Sequence, residues 1–247
     1  MKNYLNKLKR IFEKLSVEVK INDNEIIFNY NERTLSVAFY TEFPNEKNKI
    51  NLPLDYLVTQ FEKVIYFIQS KLHLNKTVYA RKCEIKKIDK TRALTFLNSY
   101  HFLNDAGGAF NYGLFYNSEL LAVASYSKGR KMNRLQEHER GYELVRFCTK
   151  GGVTITGGLS KLLKHFCDEK IPGDIMTYID KQFSDGQSFI KSGFKFYTET
   201  ESNYFLINRI SFKRISTKPE AFFNEKDFYK TSNFGNLKLV YTPKKLP

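Results

Sequence analysis

Tryptophan is absent from this 247-residue chain, and cysteine occurs only three times, histidine four times and proline six. Each scarcity excludes something. Cys83, Cys148 and Cys167 are too few and too scattered for a disulfide framework, and no Cys-x-x-Cys or paired-histidine spacing suggests zinc. No structural metal is expected. No segment approaches the ~18 uninterrupted apolar residues of a membrane span, and the start, Met1-Lys2-Asn3-Tyr4-Leu5-Asn6-Lys7, lacks the apolar core of a secretion signal. The expectation is therefore no membrane association and, by default, the cytoplasm. Convergent carboxylates are also missing before Val78. Glu18, Asp23, Glu25, Glu32, Glu42, Glu46, Asp55 and Glu62 are scattered, and the sole histidine there, His73, lies at the far end. Nothing in that stretch reads as a two-metal hydrolytic cluster.

What is present is apolar mass and positive charge. At 42% hydrophobic and 15% aromatic, the chain can bury one large core or two smaller ones, and a mean hydropathy of -0.46 is ordinary for a soluble protein. Forty Lys and Arg against 26 Asp and Glu give a net charge of +14. Two clusters are dense, Arg81, Lys82, Lys86, Lys87, Lys90 and Arg92 in one and Lys128, Arg130, Lys131 and Arg134 in the other. They read either as a nucleic-acid surface, with DNA the expected partner, or as the solvated face of a Lys-rich protein.

Periodicity divides the chain. Leu5, Leu8, Ile11, Phe12 and Leu15 recur at helical spacing, and three alternating segments then follow around the turn signals Asn22-Asp23-Asn24 and Asn31-Glu32. A polar loop at 42–51 precedes a helix of about five turns at 54–72. A strand at 78–88, a helix at 91–100 capped by Thr91, and a hairpin about Asn117-Ser118 open the next part. Residues 129–141, polar and poorly periodic, read as a mobile loop on the substrate side. Residues 195–199 and 203–208 read as a final hairpin, followed by Arg209, Lys213 and Arg214 as an extension of a basic stripe. The predicted domains are 1–79, small and α+β; 80–215; and 216–247, an extension too apolar to be disordered throughout.

The densest information runs from Tyr142 to Phe194, which reads as strand, glycine-rich turn, helix, strand and helix. Gly157-Gly158 before a helix creates an anion site if backbone amides approach a ligand there, or merely relieves crowding against the sheet. Arg146, mid-strand, would share a face with Leu144 and Cys148 and pair with a carboxylate or bind substrate. Cys148 and Cys167 read as small core residues.

Several spaced motifs carry a family resemblance from about Ala80 to Lys213. They are Arg81-Lys82-Cys83, Tyr100-His101-Phe102-Leu103, Tyr112-Gly113-Leu114-Phe115-Tyr116, Glu143-Leu144-Val145-Arg146-Phe147-Cys148, Gly157-Gly158-Leu159-Ser160-Lys161-Leu162, Tyr178-Ile179-Asp180 and Gly193-Phe194. The chain resembles the phage Mom-like branch of the GNAT acyltransferase fold, and it is also similar to the C-terminal domain of phage homing endonucleases. The resemblance implies an α+β fold with a GNAT-like mixed, mostly antiparallel sheet and flanking helices. It implies that the strands at 142–149 and 174–180 splay apart to admit the arm of an acyl carrier. The carrier would be acetyl-CoA or another acyl donor, its diphosphate at Gly157, Gly158, Leu159 and Ser160. His101, Arg146, Tyr178 and Asp180 are the implied catalytic positions, with Asp180 as base or orienter. Alternatively Asp180 caps a helix at 184–190 or pairs with Lys181. The segment 151–156 departs from the Gln/Arg-x-x-Gly-x-Gly spacing of the family.

The implied reaction is acyl transfer to an exocyclic amine of a DNA base, in a phage-derived or mobile-element protein. The rival readings are a catalytically silent DNA-binding module and an ordinary GNAT N-acetyltransferase acting on a small molecule or protein.

Overall fold

The computed structural model describes residues 1–23, 25–43 and 50–243. Asn24 of the first turn signal, Glu46 and most of the predicted 42–51 loop lie outside the described residues.

The elements run in the order α1 (Lys2–Glu13), β1 (Glu18–Asn22), β2 (Glu25–Tyr30), β3 (Arg33–Tyr40), β4 (Ile50–Pro53), α2 (Leu54–Thr59), α3 (Phe61–Lys71), β5 (Lys76–Tyr79), β6 (Glu84–Lys87), α4 (Lys90–Tyr100), β7 (Phe110–Tyr116) and β8 (Glu119–Tyr126). They continue with β9 (Gly141–Thr149), β10 (Val153–Thr156), α5 (Gly158–Lys170), β11 (Asp174–Asp180), α6 (Gln187–Lys191), β12 (Lys195–Glu199), β13 (Tyr204–Asn208), β14 (Arg214–Thr217), β15 (Phe228–Ser232) and β16 (Asn236–Tyr241). Two compact units result, and neither is one continuous segment. The first comprises Met1–Leu74, Asp180–Ser184 and Thr200–Asn236; the second comprises Asn75–Ile179, Asp185–Glu199 and Leu237–Pro247. The sequence boundaries at 79 and 215 assume continuous domains, whereas here residues 200–236 fold with the N-terminal segment.

In the first unit, Leu5, Leu8 and Phe12 form the buried stripe of α1, with Phe12 edge-on to Phe28 at 4.8 Å. β1, β2 and β3 make the expected antiparallel meander, and β4 adds to β3 in parallel. The helix predicted over 54–72 is two helices. Gln60, at φ -132° and ψ 38°, leaves helical space between α2 and α3. A second sheet, in the order β14-β13-β15, belongs to this unit. So the hairpin expected between 195–199 and 203–208 does not form: β12 pairs with β16, and β13 pairs with β14 and β15.

Arg214 explains how residues 200–236 are held. Its Nε and Nη2 each donate to the Asp55 carboxylate at 2.8 Å, and its guanidinium lies over the Tyr56 and Phe205 rings at 4.4 and 4.5 Å. The Asp55 side chain is 2% exposed. Arg214 is therefore part of a buried ion pair and not of a basic stripe; a planar, weakly hydrated cation between two rings suits that position. Nearby, Gln182 Nε2 donates to Tyr40 Oη and to the Asn51 carbonyl.

The second unit is built on a seven-stranded, mostly antiparallel sheet with flanking helices, in the order β12-β16-β11-β9-β8-β7-β6. Leu114, Ala122, Ala124, Leu144, Ile175, Ile179 and Leu239 meet Leu159, Leu162, Leu163 and Phe166 of α5 in its main core. Ile88, Phe115, Val123 and Cys148 meet Ala93, Phe96 and Leu97 of α4 in a smaller one. The predicted strand 78–88 is broken at Ala80–Lys82 by a single 3-10 turn. Its halves serve different sheets, β5 pairing with β10 and β6 with β7. Asp89, and not Thr91, caps α4, accepting from the Arg92 amide at 2.8 Å.

Candidate active site

The feature that organises the second unit is the parting of β9 and β11. They run parallel and pair at only three positions, Asp174 with Gly141, Ile175 with Tyr142 and Met176 with Glu143. Beyond these, Thr177 Oγ1 reaches the Leu144 carbonyl at 2.9 Å, and then the ladder stops. From Arg146 to Thr149, β9 is paired on its β8 side alone. This is the splay that the sequence resemblance implies, and it exposes a strand edge to any extended chain bearing amides.

A bulge sits where the strands part. Ser125 opposes Arg146 and Tyr126 opposes Leu144, so Val145 has no counterpart across β8. The extra residue reverses the alternation of the strand. Leu144 and Phe147 pack with the α5 core, while Cys148 packs with the α4 core. Arg146 therefore shares a face with Cys148, as expected, but not with Leu144. Arg146 is half-buried, its Nε donating to the Asn104 carbonyl in the segment after α4 and its Nη1 to the Val145 carbonyl, with no carboxylate in hydrogen-bond contact among the described residues. Burial lowers its pKa, with Asp105 and Glu143 opposing that shift.

At the far end of β9, the segment 151–156, which departs from the family spacing, contains a strand, β10, residue for residue beside β5. Both glycines that follow have local explanations. Gly157 caps α5 in left-handed backbone at φ 77°, and a Cβ on Gly158 would meet Ile155 Cγ2 at 3.0 Å. The opening of α5 is nevertheless equipped for an anion. No side chain caps it. Ser160 Oγ turns aside to Ser192 Oγ at 3.0 Å. The amides of Gly158, Leu159 and Ser160 thus keep the intrahelical vacancy of any first turn. Lys161 Nζ is engaged elsewhere, donating to the Ala80 carbonyl at 3.0 Å and to the Cys83 carbonyl, and so fastens the 3-10 turn to α5. These residues fit an elongated ligand with amides along its arm and phosphate at its head.

The other expected residues are distributed. Tyr178 is exposed on β11, past the last paired position. His101 follows α4, its Nδ1 accepting from the Leu103 amide at 3.1 Å. Asp180 belongs to the first unit, accepting from Asn233 Nδ2 at 3.0 Å and from the Gln182 amide at 2.9 Å. It does not cap α6, which begins at Gln187 behind Gly186. Burial raises its pKa, against those hydrogen bonds and the Arg214 charge. A carboxyl whose folded pKa is raised stabilises the fold fully below the ordinary carboxylate range, and that contribution is lost as pH climbs through the raised value. Asp180→Asn is expected to abolish this decline in a pH series of urea midpoints; an unchanged decline would locate the titrating group elsewhere.

The basic clusters also separate. Arg81 and Lys82 lie exposed on the 3-10 turn, and Lys86 and Lys87 lie exposed on β6, an edge strand where lysines also discourage strand addition. Lys128, Arg130 and Lys131 are exposed in the 127–140 segment. Arg134 differs, since its Nε meets the buried Asp174 carboxylate at 2.6 Å. That pairing engages its Nε within the second unit. It also pins the segment predicted to be a mobile substrate-side loop, and at the wrong end: Asp174 and Gly141 open the closed ends of β11 and β9, opposite the splay. The cysteines behave as core residues, with burial raising the thiol pKa of Cys83 and pushing that of Cys167 up to about 11. Among the described residues, no three His, Cys, Asp or Glu side chains converge as a metal site would need. No helix among them is long and apolar enough to cross a membrane.

No protein-family model and no curated protein matches the chain. Solved structures do. A GNAT family acetyltransferase from Elizabethkingia anophelis with acetyl-CoA bound is similar at 14% identity and a TM-score of 0.41, over 66% of this chain and 99% of that one. Arabidopsis thaliana Naa50 in complex with a bisubstrate analogue is similar at 12% identity and 0.44, over 66% and 99%. The ribosomal-protein-S18-alanine N-acetyltransferase from Escherichia coli is similar at 12% identity and 0.42, over 67% and 96%. The second unit's own pairing gives a mixed, mostly antiparallel sheet in which β9 parts from β11 beside a bulge at Val145.

Proposed function

We propose that this protein is an N-acyltransferase of GNAT-like fold whose acceptor is an amine of a DNA base. The observation that carries the reading is the loss of pairing between β9 and β11 beside the Val145 bulge. An acyl thioester such as acetyl-CoA supplies the acyl group. The free edge of β9 from Val145 to Thr149 holds the arm of that donor, and the amides of Gly158, Leu159 and Ser160 hold its diphosphate. The Val145 amide, without a β8 counterpart, is available to an oxygen that gains charge during transfer. The base amine attacks the thioester carbonyl, the new N–C bond replacing the C–S bond, and Tyr178, exposed beyond the last paired position of β11, gives its phenolic proton to the leaving thiolate and regains one from the amine. Arg146 and His101 fix the segment after α4 on the acceptor side.

The net charge of +14 supports a polyanionic acceptor, with Arg81, Lys82, Lys86, Lys87, Lys128, Arg130 and Lys131 exposed to meet phosphates. A base amine must leave the duplex, or belong to a single strand, to reach such a site. In this reading the protein acts in the cytoplasm, as a phage-derived or mobile-element enzyme of the Mom-like kind.

The test uses acetyl-CoA labelled in the acetyl group, with single-stranded DNA, duplex DNA and a panel of peptide and small amines. Label recovered on a nucleoside after digestion supports the reading. Label on amines alone makes the protein an ordinary GNAT N-acetyltransferase, and DNA binding without any transfer makes it a silent module derived from a homing endonuclease.

A further inference from the structure

The face of the second unit's sheet that turns away from α5 carries two exposed tyrosines and a part-buried lysine between them on three adjacent strands. Ile175 and Ile179 of β11 and Leu239 of β16 point into the α5 core, so strand alternation sends Tyr178 and Lys238 to the opposite face. The Lys238 ammonium lies 5.9 Å from the centre of the Tyr178 ring and 4.8 Å from that of Tyr197 on β12. A bulge at Tyr197 sets both Tyr197 and Thr198 against Lys238. Tyr178 is 42% exposed and Tyr197 60% exposed. The helix on this face, α4, packs over β7, β8 and β9, away from the row.

We propose that Tyr197, Lys238 and Tyr178 form a stacking platform for single-stranded nucleic acid. Two aromatic rings flanking a cation on an open sheet offer π-faces to bases and a charge to the phosphate between them. The rings stand two strand spacings apart, roughly 10 Å, which suits bases splayed from one another. A duplex hides its base faces, so it would meet only the cation. The platform deepens the DNA half of the proposed function and rests on it, but requires no acyl donor.

Binding of a fluorescein-labelled 12-nucleotide single strand, and of a 12-base-pair duplex of the same sequence, is measured by anisotropy across a salt series with no acyl donor present. The expected result is tighter binding of the single strand, weakened roughly ten-fold by Tyr178→Ala and again by Tyr197→Ala, with the salt dependence unchanged. Tyr→Phe at either position retains binding, and Lys238→Gln lowers the salt slope by about one. All are surface substitutions, and an unchanged melting midpoint verifies each fold. Equal affinity for duplex and single strand, or alanine variants that bind as the unmodified chain does, would overturn the platform and leave acyl transfer untouched. Failure of the acetyl-transfer assay with the platform intact would overturn the enzyme instead.

Discussion

Replacing Asp55 by alanine is expected to cost the first unit about 3 to 5 kcal/mol, the largest single-residue effect on stability anticipated in this chain. The substitution strands the Arg214 guanidinium, whose side chain is 17% exposed, between Tyr56 and Phe205 with no carboxylate to accept its two hydrogen bonds. Most of that cost comes from leaving a buried charge uncompensated; the intact pair itself stabilises far less. The double variant Asp55→Leu with Arg214→Met should therefore recover much of the loss. Because the chain has two units, a single global unfolding transition cannot be assumed, and amide exchange in β13, β14 and β15 is the suitable readout. A change under 1 kcal/mol in Asp55→Ala would show that the pair does not hold residues 200–236 in the first unit.

Ser160→Glu is expected to reduce acetyl-CoA affinity by two orders of magnitude or more while leaving stability unchanged or slightly raised. The two effects have opposite signs for one reason. A carboxylate in the first turn of α5 suits the helix dipole, by about 0.3 to 1 kcal/mol. The same carboxylate repels a diphosphate there, by about 4 kcal/mol for unit charges 4 Å apart near a protein surface. Ser160→Ala, which removes only a hydroxyl donated to Ser192, should bind the donor almost normally. If calorimetry finds Ser160→Glu binding as tightly as the unmodified chain, the opening of α5 does not hold the phosphates.

The residues that sequence could read were those whose partners lie close along the chain. The strand, turn, helix and strand from 142 to 180 were visible because hydrophobic period and glycines mark them locally, and the resemblance supplied the splay. The Val145 bulge was not visible, since only the β8 register reveals the extra residue. The break at Gln60 was equally hidden, because the apolar stripe from Leu57 to Leu72 continues in period across it. Long-range partners were the hardest. Arg214 finds Asp55 from 159 positions away, and a lone arginine among Lys213 and Arg209 looks like surface charge. A local hint existed: an aspartate at the start of α2, flanked by the apolar Leu54, Tyr56 and Leu57, needs a partner once the helix is buried. The partner of Arg134, Asp174, was hidden for the same reason, lying on another strand.

The central claim, that the parted strands β9 and β11 hold the arm of an acyl carrier, is tested most directly by amide hydrogen exchange of the unmodified chain with and without acetyl-CoA. Slower exchange at the amides from Val145 to Thr149, together with the first turn of α5, is the predicted result, because a donor lying along that edge covers the groups β11 leaves free. Unchanged exchange along β9 at saturating acetyl-CoA would contradict it.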